Sequence, residues 1–373
     1  MPLPGIMILK EKEASLMESI LESLKGTGKV DGAKLISDKD YSSDKVRILV
    51  VGAGGGGCNT ITRITNMGIS SAETVAVNTD NNHLKITNAK KKLLIGSSMT
   101  RGLGAGGYPE IGMKCAEISK DQIRQLVSNS ELVFLCAGMG GGTGTGSAPV
   151  IAQVAKDEGA IVIGMVTYPF NIERARLDKA KWGIEQLSQH SDTVVIIDNN
   201  RLLSYVPNLP MNEAFKVADE VVARAVKGIS DTITFPSLIN IDFADIKTIM
   251  TKAGAATISV GEGRGTNKVE HAIRSTLDHP LLDVDFAGAK GALVHIAGGA
   301  DLTLGEATKI GEGITEAFDD NANVIWGARV IPEMGDSVTV TAVMTGVQSP
   351  MIMGNKAEPK LTFSNDLEEV AYV

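Results

Sequence analysis

Basic residues are in the minority along this chain. Its 373 residues include 36 Lys or Arg against 44 Asp or Glu, a net charge of -8. Proteins that bind nucleic acid usually carry a basic face, so that class is set aside. Cysteine is scarce: Cys58, Cys115 and Cys136 stand far apart, are odd in number and form no C-x-x-C pair. A disulfide framework is excluded, and a reduced, cytoplasmic setting is expected. Five histidines are scattered without metal-ligand spacing, so no metal site built from protein side chains is expected. No apolar run approaches the roughly 18 residues of a membrane span. The opening segment MPLPGIMILKEKE lacks the apolar length of a signal peptide, so neither secretion nor direct membrane insertion is expected. Aromatics make up only 4% of the chain.

The most telling absence is local. In CAGMGGGTGTGSAP, Cys136 to Pro149, six residues are glycine and none is charged. A glycine loop after a strand usually cradles phosphate, and the common version, G-x-x-x-x-G-K-[ST], carries a lysine. This loop has none.

What is present is an alternation of apolar strands and helices from Val46 onward. VRILVVG, TVAVNTD, KLLIG, ELVFLCAG, AIVIGMVTYPF and DTVVIIDNN read as strands. CNTITRITNMG, ending at Gly68, and SAPVIAQVAKDEG read as helices, the second opening near Pro149. The pattern predicts a parallel sheet covered on both faces. One long helix is expected over 211–229. TISVGEGRG, GALVHIAGG and SVTVTAVMTGV, with helices near 268–277 and 304–318, predict a second, smaller α+β domain. The expected division is an N-terminal extension at 1–44, a nucleotide domain at 45–210, the core helix at 211–229, a second domain at 230–347 and a tail at 348–373. In the extension, Leu16, Met17, Ile20, Leu21 and Leu24 share one helical stripe, read as a helix packed on the main domain.

Two further loops are poor in side chains. GAGGGGCN, from Gly52, fits G-x-G-x-x-G, and Asp80 ends the second strand where a ribose-binding acid would stand. A dinucleotide oxidoreductase is therefore an alternative from that motif alone. GLGAGGYPE, Gly102 to Glu110, is the third loop. A dinucleotide fold needs one phosphate loop; three imply a polyphosphate wrapped by backbone N–H groups, with helix dipoles and the hydroxyls of Thr143 and Thr145 as donors. The missing cation would then arrive as Mg²⁺ carried with the phosphates and water.

These loops, together with NIDFADIKTIM downstream, closely resemble FtsZ, the prokaryotic cell-division GTPase family of the tubulin superfamily. The similarity runs over about residues 45–347. The extended N-terminus and short tail look archaeal. The resemblance implies a Rossmann-like GTPase fold with a long central helix, GTP and GDP as ligands with Mg²⁺, head-to-tail self-assembly into protofilaments, and hydrolysis at subunit junctions. It also implies a division ring at mid-cell, with membrane-anchor or division proteins as further partners. LEEVAYV, at the end of the tail, is one candidate peptide for their recruitment.

Carried onto this sequence, the implied phosphate contacts are Gly55, Gly56, Gly57, Cys58 and Asn59, then Ala105, Gly106 and Gly107, then Gly140, Gly141, Gly142, Thr143 and Gly144. Glu173 and Arg176 fall at the ribose, with Arg174 as the alternative arginine. Asn199 falls at the nucleotide, Phe215 on the base, and Asp219 where a carboxylate can accept from guanine N1–H and N2–H₂. Asp242 and Asp245, with Asn240 beside them, are implied to polarise the attacking water. Independently, their spacing before an apolar run predicts a helix cap.

Overall fold

A computed structural model describes residues 46–347, apart from 206–207, 236, 240, 252–253, 279–288 and 317. The expected N-terminal stripe, the linker after it, the tail and Asn240 lie outside the described residues.

Ten strands form one sheet in the order β3-β2-β1-β4-β5-β6-β7-β10-β8-β9. The first six are β1 (Ile48–Ala53), β2 (Glu73–Asn78), β3 (Lys91–Leu94), β4 (Leu132–Gly138), β5 (Ile161–Tyr168) and β6 (Thr193–Asp198), all parallel. Between them run α1 (Gly54–Asn66), α2 (Asn81–Ile86), α3 (Ser97–Thr100), α4 (Pro109–Ile118), α5 (Lys120–Val127), α6 (Thr143–Asp157) and α7 (Ala175–His190). Central strands β1 and β4 are almost wholly buried and carry nearly continuous apolar runs, as strands covered on both faces must. The order 3-2-1-4-5-6 reverses direction between β1 and β4. The crevice beyond the carboxyl ends of those strands is where open α/β sheets bind ligands.

After β6 come α8 (Asn199–Tyr205) and α9 (Met211–Thr234). No proline interrupts α9, and Ala218, Val222, Ala225, Val226 and Ile229 recur on its buried face. Each buried Val or Ile there contributes roughly 1.5–3 kcal/mol. The helix runs five residues past the expected end at Ile229, because Gly228 is no stop: its bare Cα lets the helix lie against Thr341.

Next are α10 (Phe243–Met250), β7 (Gly254–Arg264), α11 (Lys268–Leu277), β8 (Gly291–Gly298), α12 (Leu304–Thr315), β9 (Asn323–Val330) and β10 (Ser337–Thr345). β10 lies antiparallel between β7 and β8, and β9 is a parallel edge strand not expected from the sequence. The two halves of the sheet join through two parallel residue pairs, Thr193 with Gly254 and Val194 with Ala255.

One element boundary differs in a way that matters. Pro149 was expected to open a helix, as proline often does. Instead α6 starts at Thr143, and Pro149 lies inside it. An interior proline costs about 3 kcal/mol. Close backbone packing offsets it: Gly112 and Gly146 allow α4 and α6 to touch, since a Cβ at Gly146 would strike the Pro109 carbonyl. The end of the glycine loop is thus the first turn of the helix.

Candidate functional site

The three glycine loops converge at the β1–β4 crevice, but their glycines do different work. Gly54, with φ of +70°, makes the sharp turn out of β1. Gly52 and Gly57 face each other and the Cys136 carbonyl so closely that a Cβ on either would collide with backbone, so they serve helix–strand packing. Gly55 and Gly56 are exposed and line the cavity. Cys58 is fully buried beside Val77 and Asn78, so only its backbone can face a ligand. Burial pushes its thiol up to about 11.

In the second loop, a Cβ on Gly141 would meet open space within the cavity, whereas Gly142 and Gly144 pack against backbone. Gly140, at φ of +95°, turns the chain beside Arg176 and does not line the cavity. Thr143 lines it, its hydroxyl 2.6 Å from that of Thr79. Thr145 differs from expectation. It is fully buried and its hydroxyl accepts from the Gly140 N–H at 2.9 Å, so it braces the loop from within. In the third loop Gly104, Gly106 and Gly107 all have positive φ and line the cavity, while Ala105 is buried against Gly142. Lys179 Nζ donates to the Gly107 carbonyl at 2.7 Å and sits 5.3 Å over the Tyr108 ring. A lysine is therefore near, but it holds the loop and does not line the cavity.

This glycine-walled cavity measures about 610 Å³. A second, of about 630 Å³, adjoins it, sharing Gly56, His83, Gly138, Thr167, Asn199 and Phe215, and is lined besides by Asn59, Thr60, Arg63 and Asp219. Phe215 is 40% exposed, with its ring edge-on to Phe170 at 5.7 Å; it is not a core residue. Asp219 accepts from the Thr60 hydroxyl at 2.7 Å. Burial holds its carboxyl above the usual range, opposed by that hydrogen bond and the nearby Arg63 charge. Arg63 itself is paired with Glu220.

Asn199 is 9% exposed, and its Oδ1 has no hydrogen-bond partner among the described residues, an open acceptor in a polar wall. Glu173 and Arg176 form an ion pair at 2.6 Å on the rim; Arg174 lines neither cavity. Two carboxylates, Asp80 and Glu173, against one guanidinium, Arg176, make the ionised side chains of the first cavity negative overall. Asp80 caps α2 through the N–H groups of Asn82 and His83. His83, Asn78 and Thr167 also line the cleft and were not singled out in the sequence. The only signal for His83 was its place three residues after a helix-capping Asp.

Asp242 and Asp245 line neither cavity. They close a reciprocal capping box on α10: Asp245 N–H donates to Asp242 at 2.8 Å, and Asp242 N–H to Asp245 at 3.0 Å. Each carboxylate keeps one oxygen outside this exchange. The segment before them is bonded to the edge strand β9, with Leu238 N–H donating to the Ala328 carbonyl at 2.8 Å and Ile239 bridging the same residue.

Known families carry the same two-part order. The model of the Tubulin/FtsZ family, GTPase domain, matches residues 47–207, and that of the FtsZ family, C-terminal domain, residues 254–348. Cell division protein FtsZ 2 of Methanocaldococcus jannaschii is 60% identical over 320 residues, 85% of this chain and 84% of that protein. FtsZ 2 of Haloferax volcanii is 53% identical, over 86% and 80%. Among solved structures, an empty FtsZ dimer from M. jannaschii superposes with a TM-score of 0.77 at 44% identity, covering 87% of this chain and 100% of that one. A three-loop crevice at the sheet reversal, a capped carboxylate pair beyond the core helix and these relatives lead to one assignment: the chain belongs to the FtsZ family of cell-division GTPases.

Proposed function

We propose that the twin cavity holds GTP with its phosphates on the glycine loops and its base between Phe215 and Asp219, and that Asp242 and Asp245 act on the nucleotide of the next subunit in a head-to-tail polymer. On this reading 45–210 forms the nucleotide domain and 230–347 the activating one, hinged on α9. The backbone of Gly55, Gly56, Gly106, Gly107, Gly141 and Gly142 and the Thr143 hydroxyl face the phosphates, aided by the N-termini of α1 and α6. Gly57, Cys58, Ala105, Gly140 and Gly144 contribute by keeping those loops in shape. A wall with more carboxylate than guanidinium suits a polyphosphate only when a cation comes with it, so Mg²⁺ fits the site. When bound it supplies charge neutralisation of the phosphates and a template for water. Asn199 Oδ1 and the Asp219 carboxylate offer acceptors, which guanine can match with its N1–H and N2–H₂ and adenine cannot.

The observation that carries the trans reading is the pinning of residues 238–239 to β9. That edge lies six strands from β4, roughly 29 Å of sheet at ~4.8 Å per strand. A general base must come within about 3 Å of its water, directly or through one bridge. The same chain meets this only by tearing its loop off the sheet; a neighbour stacked end to end needs no such movement. The polymer would form the division ring in the cytoplasm at mid-cell, tethered by membrane-anchor proteins.

GTP turnover per subunit should therefore rise with protein concentration and plateau above an assembly threshold. Asp245→Ala should bind GTP yet turn over slowly. Mixed with Gly141→Val, which cannot bind GTP but keeps both carboxylates, it should regain activity at mixed junctions. A flat specific activity and no gain on mixing would refute the trans site.

A further inference from the structure

Asn78 stands at the end of β2, 3% exposed, and every hydrogen-bonding atom of its amide is engaged. Its Oδ1 accepts from the N–H of Thr79 at 2.9 Å and of Asp80 at 3.2 Å. Its Nδ2 lies 3.7 Å from Cys58 Sγ and 3.3 Å from His83 Nδ1. The amide cannot be flipped, since its NH₂ would then face two backbone donors. Nδ2–H therefore points at His83, and Nδ1 of His83 must be the acceptor. The Nδ1-protonated tautomer would set two donors against each other. In a neutral imidazole the remaining proton sits on Nε2.

That Nε2–H has no partner among the described residues. The backbone of His83 is fixed at both ends: its N–H donates to Asp80 Oδ1 at 3.2 Å, and its carbonyl accepts from the Thr87 N–H at 3.1 Å and hydroxyl at 2.8 Å. Its Cε1 edge lies against the first phosphate loop, 3.9 Å from where a Cβ on Gly55 would stand. His83 also lines both cavities, at their join.

We infer that His83 is a nucleotide contact, a tautomer-locked Nε2–H donor directed at a phosphate oxygen next to the ribose. The inference rests on reading the cleft as a GTP site. In that reading the join of the glycine-walled and base-side cavities is where the α-phosphate meets the ribose. An anionic oxygen is also the acceptor that an N–H donor serves best beside a glycine-walled cavity whose described lining carries no lysine.

The two ring nitrogens can be separated by substitution, because an asparagine amide stands near Nδ1 and a glutamine amide near Nε2. His83→Asn keeps the partner of Asn78 and loses the outer donor; His83→Gln keeps the donor. By nucleotide titration of the full chain, His83→Asn should weaken GTP, GDP and GMP each about tenfold, the usual scale for a hydrogen bond to a charged group, and leave guanosine unchanged. His83→Gln should stay within about threefold of the parent, and thermal unfolding without nucleotide should match for all three proteins. Nitrogen-15 spectra of the parent should show His83 protonated at Nε2, that proton shifting when GDP is added. Parental affinity in His83→Asn, a loss shared by guanosine, a loss in His83→Gln as large as in His83→Asn, or an Nδ1–H tautomer would each overturn the assignment. A parent that binds no GTP would instead refute the reading of the cleft.

Discussion

Asp219 links two properties with opposite signs. Burial raises its carboxyl in the nucleotide-free fold, so the ionised form costs stability above that raised value and the cost is relieved as pH falls toward the ordinary aspartate range. On the proposed reading GTP needs the ionised form, since a protonated acid is a poorer acceptor for two N–H groups. Acidification should thus weaken GTP binding at a pH above that expected of an ordinary aspartate, while Asp219→Asn flattens the dependence. The same variant should bind GTP at least tenfold more weakly, with a smaller loss for ATP, yet unfold no earlier without nucleotide. Parallel titrations and melting curves test this; equal losses for GTP and ATP would remove Asp219 from base recognition. At this scale the sequence was partly legible. Phe215, Asp219 and Asn199 could be named from the resemblance and all line the cleft. What could not be read was the division of labour among glycines: Gly57 and Gly141 look alike in a sequence, but one faces a carbonyl and the other open space.

At the level of elements, α10 raises a question of two roles. Asp242 and Asp245 are a sufficient capping box by themselves, and a cap is typically worth ~1 kcal/mol. Serine caps as well as aspartate but carries no charge. Asp242→Ser should therefore melt like the parent while its GTP turnover collapses, whereas Asp242→Ala should lose both. Full turnover in Asp242→Ser would reduce the pair to a cap. The elements that escaped the sequence reading did so for a shared reason. In a sequence, glycine reads as a mark of loops. In α4, Gly112 instead permits contact with the Gly142 carbonyl, and in β9 Gly327 makes room for the Ile239 carbonyl. Both are close approaches between segments far apart in sequence, and no local period announces them.

At the largest scale the described residues share one sheet with two characters, and the join at Thr193–Gly254 and Val194–Ala255 is too short to leave a sequence signal. The second half holds His295, 5% exposed on β8, with Nε2 unpartnered among the described residues. Burial, reinforced by Arg329, pushes its imidazole down to about 4. A base depressed in the fold leaves stability intact above its unfolded value near 6.5 and removes it between there and about 4. That loss is on the order of 3 kcal/mol. His295→Gln should flatten the acid limb of a stability-versus-pH curve over this window; an unchanged limb would assign acid lability elsewhere.

The crevice gathers its walls from chain positions as far apart as Gly55, Gly106, Gly141, Arg176 and Asp219, each on a different connection between strands. A ligand seated among them is therefore a tie across the fold, closing by contact what the backbone leaves far apart. By mass action a ligand present at a hundred times its dissociation constant adds about 2.7 kcal/mol to the folded state. In a cell where guanine nucleotide is abundant, part of this protein's stability is thus a property of its environment as well as of its sequence.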